Sequence, residues 1–535
     1  MRWWGWGEDG HDVALPEPAS ALLEQELGLD AEIRRPPVAL EEVRLPEIRL
    51  PAALRERLAG LLGSEGVRDD REARLGHAVG RSYPDLVRLR SGDPSSAPDL
   101  VLYPGSAEQV AAVLATCAEA RVAVVPFGGG TSVVGGVEPV SDGFAGAVSL
   151  DLRRLDRVLG IDPVSLTARL EAGMLGPEVE RRLGAAGLTL GHFPQSFEYS
   201  TVGGWVATRS AGQASTGYGR IDELVEGLRF LAPAGEIDAR ERPASAAGPD
   251  LRELLVGSEG VLGVICDATL RVRPAPELRR YEGWSFRTFV EGCEALRVLD
   301  QAREAPDVAR LSDEQETRMG LALASRGDWT ERVLRRYLRM AGHDGGCMAI
   351  VGFEGTEEAA ERRRLNASSL LRAGGGLALG RRPGAAWLRT RFGAPYLRDE
   401  LLGRGVLVDT LETATSWSNV QALYGVVSGA LRSALGERTL VFCHVSHVYP
   451  SGASLYFTFL AAQADDALGQ WRTAKRAASE AIVGGGGTIT HHHAVGRDHL
   501  PWMRAEVGEL GLELLRAAKA RLDPAGVMNP GKLLP

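Results

Sequence analysis

The residues best suited to chemistry fall in two short runs. The first is Val124-Val-Pro-Phe-Gly-Gly-Gly-Thr-Ser-Val-Val-Gly-Gly136, where β-branched residues and a proline lead into three glycines and two hydroxyls. Glycine lets the backbone turn with positive φ, so successive N–H groups can converge on one point. A nest of such groups beside hydroxyls suits a phosphate or pyrophosphate, although a plain glycine-rich turn would have the same composition. The run is not G-x-G-x-x-G and no Gly-Lys-Ser/Thr follows, which argues against nicotinamide-type and P-loop binding. The second run is Thr490-His-His-His493. Side chains alternate along an extended segment, so at most two of these imidazoles can face one site. A metal would want a carboxylate or cysteine nearby. No metal is expected, and a purely structural histidine run remains the alternative.

The elements that must position these runs follow a recognisable grammar. Leu100 to Pro104 and Val122 to Pro126 read as strands, with an amphipathic helix from Ser106 to Ala120 between them. The nest therefore sits at the carboxyl end of a strand, where ligand sites of α/β units tend to lie. Further strands are expected at 147–152 and 166–172, and a helix at 176–186. Three long, glycine-dense, hydroxyl-bearing loops follow, at 191–205, 211–220 and 256–264. Ordered loops of this length usually carry a ligand. Beyond 276, strands (347–353, 440–448, 454–459) alternate with helices (289–303, 356–373, 465–483), which predicts an antiparallel sheet covered by helices. The arginine-rich run Glu331 to Arg339 reads as a solvated helical face.

The chain has 535 residues, enough for two or three domains. A net charge of −9 argues against a general nucleic-acid binder. The five cysteines are scattered without C-x-x-C, which fits a reducing cytoplasm and neither a disulfide framework nor a cysteine zinc site. Leu440 to Ala464 lacks Asp, Glu, Lys and Arg, yet it contains two histidines and a Tyr-Pro-Ser-Gly turn. It reads as two buried strands and not as a membrane span.

Pro126-Phe-Gly-Gly-Gly-Thr-Ser132, Ser200-Thr-Val-Gly-Gly-Trp205 and Val256-Gly-Ser-Glu-Gly-Val-Leu-Gly-Val264 together resemble the FAD-binding domain of the vanillyl-alcohol-oxidase-like flavoproteins. Trp4-Gly-Trp-Gly7, Gly191-His192, Arg310-Leu311, Tyr396-Leu-Arg398, Ser446 to Phe457 and the triple histidine extend the resemblance to the ether-forming alkyldihydroxyacetonephosphate synthase branch. The implied fold class is α+β: a two-subdomain FAD-binding domain plus an antiparallel-sheet cap domain covered by helices. The corresponding division is 1–94 as a wrapping N-terminal segment, 95–275 for FAD, 276–484 for the cap, and 485–535 for the histidine loop and a tail packing on the FAD domain.

The resemblance implies dissociable FAD held by Pro126, Gly128, Gly129, Gly130, Thr131, Ser132, Ser196, Thr201, Gly203, Gly204, Ser210, Glu259, Gly260, Gly263 and Val264. It implies that Tyr456, aided by His492 or His493, removes a C1 proton from an acyl-dihydroxyacetone phosphate. The flavin N5 then displaces the fatty acid, and a long-chain alcohol attacks the covalent adduct and leaves as an ether, with no net redox. The phenol, beside imidazolium or flavin, is expected to be pushed toward ionisation. Arg310, Arg398 and His491 are implied substrate contacts, and His192 is expected near the flavin ring. Related dehydrogenases of 2-hydroxy acids carry a glutamate where His492 stands and a strand histidine where Tyr456 stands, so the metal-assisted alternative loses ligands on both sides. An FAD oxidase or dehydrogenase of a small 2-hydroxy acid, and a flavin-binding scaffold without turnover, remain alternatives. A homodimer in the cytoplasm, with peripheral membrane contact, completes the expectation.

Overall fold

A computed structural model describes residues 1–535 apart from 12, 31 and 326–328. Three large sheets organise it, beside a two-stranded pair of Leu188–Thr189 with Arg273–Pro274. In the first, Val67–Arg68, Leu100–Leu102, Ala147–Asp151 and Ala123–Phe127 lie in that order, and the last three strands are parallel. Their continuous apolar runs are buried on both faces, as parallel strands require. Helix Ala107–Glu119 packs against them through Val110, Val113, Leu114 and Cys117, and Ser106 caps its N-terminus.

The second sheet is antiparallel, in the order Val158–Asp162, Thr167–Glu171, Val264–Arg271, Val225–Ala232, Gly235–Ala239. The third has seven antiparallel strands: Leu377–Gly380, Leu278–Phe286, Cys347–Gly355, Val308–Ser312, Thr439–Tyr449, Gly452–Ala462, Val406–Ser416. Helices Phe289–Gln301, Glu357–Ala373, Val420–Leu435 and Ala467–Gly484 cover it. The uncharged stretch around Tyr449 is a hairpin whose strands pair from Thr439↔Ala461 to Tyr449↔Gly452, with a register shift between Val445 and Val448. Among the described residues no helix is long and apolar enough to cross a membrane.

The N-terminal segment divides between the two halves. Helix Glu17–Leu27 buries Ala19, Leu23 and Leu27 in the core of the seven-stranded sheet, while helix Ala52–Leu62 joins the core of the first sheet. Near the other end, Met528 bridges to Val124 in parallel, with Val124 N–H donating to the Val527 carbonyl at 2.8 Å. The tail thereby extends the sheet that carries the glycine nest. In the arginine-rich helix Trp329–Met340, the side chains of 329–332, 334 and 335 lie outside the described residues, and those of Val333, Arg336, Tyr337 and Arg339 are exposed.

Candidate active site

A cavity of about 1950 Å³ is lined by residues from all three sheets and from the segment before helix Glu17–Leu27. One wall is the glycine nest, delivered by strand Ala123–Phe127. Gly130 has φ 66°, and a Cβ on Gly129 would run into the Tyr199 carbonyl oxygen. The nest therefore packs backbone to backbone on the loop that carries Ser196 and Thr201, a contact only glycine allows. Thr201 accepts a hydrogen bond from Gly204 N–H at 3.3 Å and so caps helix Val202–Ala207.

Glu259 joins this wall to the histidine loop. Its carboxylate accepts N–H bonds from Val495 at 2.8 Å and Gly496 at 2.7 Å, and Asn529 donates to its carbonyl at 2.7 Å. Burial pushes the Glu259 carboxyl up to about 7, against the pull of those two N–H groups. The Ser258 hydroxyl, also on the cavity wall, is buried with no protein partner. An unpartnered hydroxyl and a glycine cradle that a Cβ would fill fit the pyrophosphate of a dinucleotide.

The opposite wall is the seven-stranded sheet. Tyr456 lies directly across from His444 on one neighbouring strand and from Glu412 on the other, so the three present one face. The Tyr456 ring stacks on His444 at 4.8 Å between centroids, and lies 6.0 Å from His492 and 5.4 Å from His493. Glu412, only 2% exposed, gathers the histidine run. It accepts from the backbone N–H of His491 (2.5 Å), His492 (2.9 Å) and His493 (2.8 Å), and from the Thr490 hydroxyl (2.8 Å). The run is bent around this carboxylate and is not extended. His492 and His493 line the cavity, while His491 points away from it.

Electrostatics correct the expectation of an ionised phenol. Burial pushes the Tyr456 hydroxyl up to about 12 and His492 down to about 3, with the Glu412 charge opposing the latter shift. His493 shifts down for the same reason. Burial alone would raise the Glu412 carboxyl, but its imidazole neighbours and the loop's N–H groups hold it well below the usual range. Near neutral pH the face around Tyr456 thus carries a neutral phenol, neutral imidazoles and the Glu412 carboxylate.

Every cofactor position named from the sequence lines the cavity, as do Tyr456, His492, His493, Arg310 and Arg398. Arg310 is already engaged, with Nη2 at 2.9 Å from Glu316 and 3.1 Å from His444 Nδ1. Arg398 donates to the Arg81 carbonyl at 2.7 Å and keeps a buried Nε without a partner. Two placements differ from expectation. His192 stands behind the wall, bonded through Nε2 to Ser210 Oγ at 2.7 Å and packed on Trp205, because the loop at 211–213 covers it. His491 bonds Tyr449 instead of facing substrate, because Glu412 turns the run.

Sequence reasoning missed Glu412, His444, His447 and Tyr449. Glu412 directly follows Val406-Leu-Val-Asp-Thr-Leu411, so a strand carrying two carboxylates was a signal, though strand order was needed to aim them. His447 would alternate away from His444, but the irregularity between Val445 and Val448 re-aims it. Among the described residues, His447, His491 and His492 bring ring nitrogens within 4.8 Å of one another. Those nitrogens are taken up by Gly212, Tyr449, two serines and each other.

Residues 98–239 match the family described as FAD binding domain, and 275–533 match FAD linked oxidases, C-terminal domain. With the cavity geometry, these matches define an FAD-dependent enzyme built on the FAD-linked oxidase fold. The alkyldihydroxyacetonephosphate synthase of Dictyostelium discoideum is 32% identical over the whole chain and 93% of that protein; that of Trypanosoma brucei brucei is 34% identical over the whole chain and 92% of that protein. A solved alkyldihydroxyacetonephosphate synthase structure superposes with TM-score 0.87 at 29% identity, covering 100% of this chain and 99% of that one. The chain belongs to the alkyldihydroxyacetonephosphate synthase family.

Proposed function

We propose that the enzyme exchanges the acyl chain of an acyl-dihydroxyacetone phosphate for a long-chain alcohol, giving the alkyl ether without net redox. The observation that carries this reading is the facing of two walls across one cavity. A phenol and two imidazoles stand opposite the cofactor cradle, and apolar residues such as Leu15, Leu23 and Leu397 continue the lining. In this reading 95–275 binds FAD, 276–484 is the cap, 485–535 supplies the histidine loop and tail, and 1–94 wraps both.

FAD, held by the cradle of Gly128 to Ser132, would supply an electrophilic centre for the exchange of the two chains. Tyr456 takes the C1 proton as it hands its own to His492 or His493, whose rings lie 6.0 Å and 5.4 Å from its own between centroids. Arg398, with an unpartnered Nε, binds the phosphate, and Arg310 orients His444 beside Tyr456. His192 supports Ser210 beneath the cofactor.

Anaerobic mixing of the purified flavoprotein with acyl-dihydroxyacetone phosphate and labelled fatty alcohol tests the reading. Label should enter the ether while the flavin spectrum stays oxidised. Lasting bleaching by a 2-hydroxy acid, with no label transfer, would establish a dehydrogenase instead.

A further inference from the structure

The established family and the proposed exchange leave one requirement unmet, and it concerns protons. Ester and alcohol give ether and fatty acid: the C1–O bond to the acyl chain breaks, a C1–O bond to the alkyl chain forms, and the fatty acid leaves as its carboxylate near neutral pH. The C1 proton is returned, but the alcohol's O–H proton is left over. One proton per turnover must leave the cavity.

The wall holds a continuous hydrogen-bonded chain that could carry it. His492 opens to the cavity, and its Nδ1 lies 3.0 Å from His491 Nδ1. His491 is buried and does not line the cavity; its Nε2 lies 2.6 Å from the Tyr449 hydroxyl. Tyr449 is half-buried at the outer end of the hairpin, next to exposed Pro450. The Arg220 charge faces Tyr449 and opposes the upward shift that burial gives its phenol. With His491 protonated on Nε2, that N–H donates to the Tyr449 oxygen and leaves the Tyr449 O–H free to donate outward. His491 Nδ1 then accepts from His492 Nδ1–H, His492 Nε2 keeps its lone pair toward the cavity, and every link has one proton and one lone pair. Glu412 pins the backbone N–H of both histidines, which fixes the ring spacing.

We propose that His492, His491 and Tyr449 form a proton exit path from the cavity to the outer turn of the hairpin. The proposal rests on the exchange reading above. A proton arriving on the His492 Nε2 lone pair passes the His492 Nδ1 proton to His491, the His491 Nε2 proton passes to the Tyr449 oxygen, and the Tyr449 O–H proton is released outside. Burial lowers the proton affinity of both histidines, so neither retains the charge.

The test compares wild type with Tyr449→Phe in two arms. In the first, weakly buffered single turnovers are followed by a pH-indicator dye and by rapid quench for ether. Wild type should release its proton in step with ether. Tyr449→Phe should slow turnover by about a hundredfold, the low end of what positioned proton transfer contributes, and millimolar imidazole should restore it. In the second arm, ¹⁵N-histidine NMR of the resting holoenzyme should show His491 protonated on Nε2 in wild type and on Nδ1 in the variant. Unchanged turnover that ignores buffer, with an unchanged tautomer, would overturn the path. Failure of label transfer in wild type would defeat the exchange reading alone, since the tautomer arm needs no turnover.

Discussion

Tyr456 is the side chain on which the acid–base reading turns. It is open to the cavity, stacked on His444 and within ring contact of His492 and His493. Removing its hydroxyl leaves the cofactor wall untouched, so Tyr456→Phe should keep its yellow colour while kcat falls about 10²- to 10⁴-fold, measured by label transfer. With His492 shifted down to about 3, protonation of the imidazoles should not limit the rate near their ordinary value of about 6.5. The kcat profile is expected to stay flat from pH 8 to below 6; a loss centred at 6.5 would mean that a solvated histidine governs the step. Tyr456, Arg398 and the histidine run were legible in the sequence through motif resemblance. Glu412 and His447 were not, because one depends on which strand lies beside Tyr456 and the other on a bulge.

At the level of elements, the strand-to-nest unit is a close backbone contact sitting on an ordinary βα scaffold. Helix Ala107–Glu119 and strand Ala123–Phe127 follow from hydrophobic periodicity and a serine cap, and they were readable. What periodicity could not tell is that the nest rests on the Tyr199 carbonyl. Gly129→Ala must push that backbone away, so the variant is expected to purify colourless, with FAD affinity falling in fluorescence titration while its circular dichroism is kept. The helix Glu17–Leu27 illustrates the other limit. It lies in the segment read from the sequence only as a wrapping extension, and nothing local announced that its partner would be a sheet hundreds of residues away.

Across the whole molecule, Glu259 binds three separate parts together. Its side chain holds the segment after the histidines, its carbonyl receives Asn529 from the tail, and its neighbours line the cofactor cradle. The carboxyl stands at about 7 when folded against an ordinary 4.5, so it binds more protons in the folded state. Its contribution to stability is complete below pH 4.5 and is lost as pH rises through 7. Glu259→Gln should therefore flatten the fall of Tm between pH 4.5 and 7 in differential scanning calorimetry. An unaltered slope would place the linkage elsewhere.

That tie also gives the histidine turn a lever at a distance. A loop whose neighbours line the cofactor cradle grips Val495 and Gly496 by their N–H groups, so any displacement of Glu259 is handed on to the turn that carries His492 and His493.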